Sequence, residues 1–361
     1  MLHSAVLLAT TLCPAWTSFG LRTVGSRARI PSMAEGGPPQ IDWQAGVVVK
    51  NEQLSRATRL LRVEAEESVD YSPGHILGLE ITSPGGEALK GPYTVTRSSS
   101  PKTFEVLYRV IPDGRKTPFM ELMGEGDVLR FGGRFGTPVA EGVASGAERV
   151  VGVATGVGIG PLLGYAEQAL SDPSGPAVEL YVGFREQEDV CCADECEALS
   201  RAHPDRFCWA PCLSAPARTA AATGGELGPG VLGGRVTAAV PALLGSKRST
   251  HFHLVGNGQF VNEWKSALLT SGVAEECLTT ETYFNGKALP GEGVVERLVS
   301  DLSGLSEDDG EPEPDADVED EASPALVSPP SRKLEQLTSS QRDRLAPVHE
   351  LVRKRVNPKL R

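Results

Sequence analysis

The rhythm of apolar residues changes near residue 146. Between Ile41 and about Val143, short apolar stretches alternate with clusters of Gly, Pro, Asn and Ser. They are Gly46–Lys50, Thr58–Val63, His75–Ile81, Phe104–Val110 and Asp127–Phe131. Runs of that length bounded by turn formers read as strands, and at least five at this spacing predict a small antiparallel barrel. From Glu148 the texture differs. Val150–Val153, Ala177–Val182, Phe207–Ala210 and His251–Val255 are near-continuous apolar runs with helical stretches between them. Strands buried on both faces of a parallel sheet have this composition. The predicted fold is therefore a two-domain α+β chain, an antiparallel β-barrel domain over 41–145 followed by an α/β parallel-sheet domain over 146–300. The small-residue linker Gly142-Val143-Ala144-Ser145-Gly146 joins them.

One stretch of the second domain carries candidate chemistry. In Arg149–Leu170, Val150, Val151 and Val153 form a strand, Thr155-Gly156-Val157-Gly158 a tight turn, and the residues around Pro161 the opening of a helix. Glycine has no Cβ, so such a turn lets backbone approach a diphosphate while helix N-terminal N–H groups point at the anion. The spacing departs from G-x-G-x-x-G, because Gly158 is followed by Ile159-Gly160-Pro161. On these residues alone, an ordinary βα connection and a nucleotide turn both remain open.

The ends of the chain are different in kind. Residues 1–40 read as a targeting presequence. A short apolar stretch from Ala5 to Ala15 precedes Thr17-Ser18-Phe19, and then Arg22, Arg27 and Arg29 occur with no acid before Glu35. A signal-like part followed by a transit-like part resembles the plastid presequence of algae with secondary plastids. The alternatives are mitochondrial and secretory addresses. Residues 301–361 read as a disordered acidic linker and a basic tail. Ten acidic residues lie between Glu307 and Glu321, then nine Lys and Arg against three acids from Arg332 onward. Such a tail could touch an acidic partner or a membrane surface. The net charge of −12 argues against nucleic acid as a partner, although much of it is local to the linker. Seven cysteines, an odd number crowded around Cys191–Cys212, do not form a secreted disulfide framework, and their spacing lacks C-x2-C. No metal site is predicted. His251 and His253, alternate positions on one strand, suit packing.

Over residues 41 to 300 the chain resembles the ferredoxin-NADP reductase superfamily. Gly91-Pro92-Tyr93-Thr94 resembles its R-x-Y-[ST] flavin motif. By that resemblance Tyr93 packs on the isoalloxazine, Thr94 bonds near its reactive nitrogen, and both serve catalysis. The motif's arginine is Gly91 here, a loss that leaves Arg97, Arg109 or Arg115 to approach the diphosphate from another direction. Gly114-Arg115-Lys116-Thr117 resembles G-x-x-[ST], which implies that Gly114 and Thr117 hold the diphosphate. The turn with Thr155, Gly156, Gly158 and Pro161 resembles the pyridine-nucleotide turn. Arg185 after Tyr181–Phe184, Ser214 with Arg218, and Arg235 after Gly233-Gly234 resemble partners of the ribose or its 2′-phosphate. Gly256-Asn257-Gly258 resembles the nicotinamide segment, with Val255 at the cysteine position. Glu281-Thr282-Tyr283-Phe284 resembles the closing E-x-[YF] strand. The resemblance implies an oxidoreductase using FAD and NADP, with NAD as the alternative, that passes electrons to a small redox protein or a small-molecule acceptor. Gly91 and Val255 also feed a second expectation, a catalytically weakened module serving in nucleotide sensing or as a scaffold.

Overall fold

The computed structural model describes residues 41–215, 227, 230–244 and 246–303. The presequence and tail expectations, and Arg218, lie outside the described residues.

Six strands form the first unit: β1 (Trp43–Gln53), β2 (Thr58–Ala65), β3 (Ile76–Thr82), β4 (Ala88–Ser100), β5 (Thr103–Arg109) and β6 (Val128–Phe135). They close as an antiparallel barrel in the order β1-β2-β5-β4-β3-β6. Alternate residues of each strand point inward, so Leu61, Val63, Leu77, Leu79, Val95, Phe104, Val106 and Phe131 fill the interior. Closure leaves no unpaired edge. β4 is the strand the apolar rhythm missed, because Lys90, Gly91 and Pro92 interrupt its pattern. Its first half pairs with β3, Tyr93 opposite Leu77, and its second half pairs with β5, Val95 opposite Val106. Two short helices, α1 (Thr117–Glu121) and α2 (Val139–Gly142), flank β6.

The second unit is a parallel sheet in the order β10-β9-β8-β7-β11-β12. Its strands are β7 (Arg149–Thr155), β8 (Ala177–Phe184), β9 (Phe207–Leu213), β10 (Leu232–Gly233), β11 (Thr250–Asn257) and β12 (Leu278–Phe284). The helices are α3 (Ile159–Ser171), α4 (Ala193–Ala202), α5 (Val236–Ala239), α6 (Gly258–Thr270) and α7 (Glu292–Ser303). Both faces are covered. Leu162, Leu163 and Ala166 of α3 pack on one, Phe260, Trp264 and Leu268 of α6 on the other. The chain leaves β7 toward β8 on one side and returns to β11 on the other, so the strand order reverses between β7 and β11. In open α/β sheets, the crevice outside the carboxyl ends of such a pair is where ligands bind.

Several contacts join barrel and sheet. Gly160 and Gly164 lie four residues apart on one face of α3. A Cβ on Gly160 would stand 2.6 Å from the Thr96 hydroxyl, and one on Gly164 would overlap the Thr96 carbonyl oxygen outright. Glycine thus lets the helix lie against β4. Gly160, which breaks the G-x-G-x-x-G spacing, therefore serves the domain contact. Arg97 of β4 bonds Glu105 at 2.7 Å, pairs with Glu167 of α3 and reaches Glu195 of α4 at 3.6 Å. Arg56, between β1 and β2, bonds Glu186 at 2.9 Å and Asp189 at 2.8 Å.

The cysteines and histidines are structural in their contacts. Cys191, Cys192, Cys196, Cys208 and Cys212 are buried free thiols. Cys192 caps α4 in the left-handed region, with φ at 59°, and Cys196 lies on the helix itself. His251 Nδ1 accepts a bond from the Ala144 N–H of the linker at 3.2 Å, and its Nε2 meets Thr279 Oγ1 at 2.8 Å. With Nδ1 accepting, Nε2 carries the proton and donates to Thr279. Burial lowers the His251 pKa from 6.5 to about 4. The unfolded chain takes up a proton below about pH 6.5 and the folded chain does not, so stability is expected to fall as pH drops from 6.5 to 4. The fall should total up to about 3 kcal/mol and level off below pH 4. Urea unfolding across that range measures it, and His251→Asn should flatten the slope.

Candidate active site between barrel and sheet

Thr94 and Glu281 are 187 residues apart in sequence, yet the Thr94 hydroxyl donates to Glu281 Oε1 at 2.5 Å. Thr94 is the last β4 residue paired to β3, opposite Ile76, and Glu281 lies in the middle of β12, opposite Val255 of β11. Glu281 is 3% exposed. A carboxylate so buried must be satisfied by hydrogen bonds, and one of its donors comes from the other domain. This bond sets the barrel's β4 against the carboxyl half of the sheet beside the strand-order reversal. Glu281 had its sequence signal in the Glu281–Phe284 segment that resembles the closing strand, but not its pairing with Thr94.

The nucleotide side of the cleft is built by glycines with distinct tasks. Gly156 stands in the left-handed region at φ +54°, and a Cβ there would meet nothing within 4 Å. It is the position that faces open space. A three-residue turn, Gly156–Gly158, leads into α3, whose first turn holds no acid and no side-chain cap. The Ile159 N–H that opens this 13-residue helix is bonded back to Gly156 O within the turn, and the helix start carries no acid to compete with an anion. Gly158 and Pro161 are buried, so they shape the turn from beneath. A Cβ on Gly158 would press on the Val255 carbonyl at 2.9 Å.

The segment at the end of β11 has structural tasks of its own. Asn257 Oδ1 accepts from Phe260 N at 3.1 Å and caps α6. Gly258 is required by the loop after β12, since its Cβ would overlap the Asn285 carbonyl, and Gly256 by Thr155 Oγ1, 2.5 Å from its own added Cβ. These residues fix the cleft wall. Thr155 lines it at the end of β7.

Arg185 and Arg235 are exposed, following β8 and β10, with Ser214 following β9. Since β8, β9 and β10 are adjacent, all three sit at the carboxyl ends of neighbouring strands. The Ser214 N–H bonds Phe184 O at 2.9 Å and the Gly234 N–H bonds Leu213 O at 2.8 Å, which fixes the two loops side by side.

On the barrel side, Tyr93 is partly buried and donates to Met120 Sδ at 3.0 Å, and Pro92 is exposed beside it. Burial raises the Tyr93 pKa, so the phenol stays protonated. Gly114 and Thr117 fold the loop before α1: Thr117 Oγ1 accepts from Ile111 N at 2.9 Å, and a Cβ on Gly114 would press on Ile111 O at 2.9 Å. The Thr117 hydroxyl thus holds the loop that leads into α1. The arginines expected to replace the one missing at Gly91 are placed elsewhere. Arg97 is held by the three carboxylates of the domain contact, and Arg115 is 81% exposed and pairs with Glu87. Arg109 is exposed at the end of β5. The cation beside Gly91 is Lys116, whose Nζ lies 4.6 Å from the Tyr93 ring centre.

An aromatic ring and an ammonium on the barrel, a hydroxyl–carboxylate pair bridging barrel and sheet, and a glycine turn at a strand-order reversal define a two-domain protein shaped for a flavin and a dinucleotide. Residues 45–139 match the oxidoreductase FAD-binding domain, and residues 153–265 the oxidoreductase NAD-binding domain. The chain thus carries a ferredoxin reductase-like FAD-binding domain followed by an NAD-binding domain. Among curated relatives, it is 28% identical over 160 residues to the ferredoxin–NAD(P)(+) reductase component of the naphthalene 1,2-dioxygenase system of Pseudomonas putida, covering 44% of this chain and 47% of that one. It is 24% identical over 161 residues to the sulfhydrogenase 2 subunit gamma of Pyrococcus furiosus, covering 44% and 54%. The match thus spans about half the length of these relatives. The fold is similar to that of an Amycolatopsis cytochrome P450 reductase, with TM-score 0.57, 22% identity and coverage of 68% of this chain and 70% of that one. It is also similar to a Neisseria gonorrhoeae ferredoxin NADP+ reductase solved with FAD and NADP, with TM-score 0.56, 19% identity and coverage of 67% and 98%.

Proposed function

We propose that the protein takes hydride from NADPH onto FAD and passes electrons to a small redox protein. The observation that carries this reading is the Thr94–Glu281 bond of 2.5 Å, which brings barrel and sheet together beside the glycine turn. The donor set fits the two groups: a ring and a hydroxyl on β4, a left-handed glycine with open space above it, and a helix start with no competing acid. Bound FAD would supply the hydride-accepting ring and the step from two-electron to one-electron chemistry. The chain's own residues orient and exclude. Tyr93 offers its ring, Thr94 and Glu281 fix a hydrogen-bonded edge away from water, and Gly156 with the first turn of α3 admits a diphosphate.

Arg185, Ser214 and Arg235, at the ends of three adjacent strands, support a preference for NADP, because a dianionic 2′-phosphate suits fork-shaped cations. Arg235→Ala is expected to weaken NADPH roughly ten- to a hundredfold while leaving NADH within twofold. Steady-state KM values for both nucleotides measure this, and equal effects would move the 2′-phosphate elsewhere. A redox-protein acceptor is supported by the Pseudomonas putida relative, which is a ferredoxin reductase component.

The deciding experiment is a visible spectrum of the purified protein followed by anaerobic titration with NADPH. Yellow protein that bleaches supports the enzyme. Colourless protein that cannot be loaded with FAD supports the sensing or scaffold reading that Gly91 and Val255 suggest. Plastid delivery by residues 1–40 is part of the same proposal. A fluorescent fusion of that segment in an alga with secondary plastids should reach the plastid, and mitochondrial or secretory signal would replace that assignment.

A further inference from the structure

We infer that Lys116 is the residue that receives a phosphate group of the bound flavin nucleotide, in place of a cation on β4. The inference rests on the flavin reading above. A Cβ on Gly91 would have as nearest neighbours Tyr93 Cε2 at 3.7 Å and the Nζ and Cδ of Lys116 at 3.8 and 3.9 Å. The Lys116 chain therefore lies in the space a side chain at position 91 would use. The sequence pattern directs the search for a replacement to arginines. The structure supplies a lysine from the loop before α1.

The surroundings of the ammonium point to an anionic ligand. Of its three N–H donors, one is used among the described residues, by the Leu79 carbonyl at 2.5 Å. Its other close neighbour is the Tyr93 ring, an attractive but neutral surface. No carboxylate among the described residues forms an ion pair with it. Glu80 of β3 is the acid whose charge reaches it, and Glu80 is itself paired with Lys90 of β4 at 2.9 Å and Arg130 of β6 at 2.9 Å. A partly buried cation without a counter-charge is unfavourable, and burial lowers the Lys116 pKa to about 7. An arriving phosphate would restore the charge that burial discourages. Near pH 8 the free protein holds mostly neutral Lys116 and the complex holds the ammonium, so binding takes up a proton.

The test compares FAD, FMN and riboflavin on flavin-free protein by fluorescence quenching, with calorimetry in two buffers of different ionisation enthalpy at pH 8. Wild type should bind FAD and FMN with uptake approaching one proton, and riboflavin with none. Lys116→Met should weaken FAD and FMN by roughly 10- to 100-fold, leave riboflavin within twofold and abolish the proton uptake. Gly91→Arg combined with Lys116→Met should recover FAD binding without the uptake, since position 91 has room for a side chain. Unaltered FAD affinity in Lys116→Met, or equal losses for FAD and riboflavin, would overturn the assignment while the flavin reading stands. Wild type that binds no flavin would remove both.

Discussion

A Gly164→Val variant is expected to pry the barrel from the sheet and to lower Tm more than substitution of His251, Lys116 or Arg235. The reason is contact geometry. Even one methyl group at this position would overlap the carbonyl oxygen of Thr96, and backbone on a paired strand cannot give way as a side-chain tip can. Overpacking of this kind costs roughly 1–3 kcal/mol for the smallest insertions and more for a branched one. For a folded unit of this size, about 3 kcal/mol corresponds to a fall in Tm of roughly 6–12 °C. Circular dichroism melts measure it. Gly124→Ala is the control, because its backbone is not left-handed and an added Cβ would meet nothing within 4 Å. Its Tm should stay near wild type. A Gly164→Val protein that melts with the control would mean that α3 and β4 do not touch in solution, and the cleft between the domains would lose its geometry.

The second large effect is expected at Glu281. Glu281→Ala removes a buried carboxylate, leaves the Thr94 hydroxyl without its acceptor at 2.5 Å and opens space at the domain junction. Flavin reduction by NADPH should slow by about a hundredfold, the scale on which small misplacements at a reacting centre act. FAD affinity should change only a few-fold, because Tyr93 and Lys116 lie on other residues of the barrel. Stopped-flow absorbance separates the two. Thr94→Val should cause a similar slowing, and the double variant should be little worse than either, since both remove one interaction. Additive losses would show that the two side chains act separately, and an unchanged reduction rate would take the pair out of the site.

Much of the fold was legible because it depends on local periodicity. Valine-rich runs without alternation announced strands covered on both faces, and alternating shorter ones announced the barrel. β4 escaped because Gly91 and Pro92 interrupt it, although its first half is held by pairing with β3 and its second half by pairing with β5. At Gly156 the sequence signals a residue type that the backbone itself demands, a left-handed φ. At Gly158, Gly160 and Gly258 the sequence shows that Cβ is missing but not that Val255, Thr96 and Asn285 occupy its place.

By itself the sequence determined the order of the two domains, the strands that alternate or run buried, and the glycine turn after β7. Only the tertiary structure decided which charges are drawn into contacts of the fold and which are left without an ion pair among the described residues. Arg97 was drawn into the domain contact, Lys116 was set over Tyr93, and Thr94 was joined to Glu281. The physical reason is range. Hydrophobic period and turn chemistry act over a few neighbouring residues, whereas a hydrogen bond or ion pair is fixed by whichever distant group the closed barrel and the reversed strand order bring within about 3 Å.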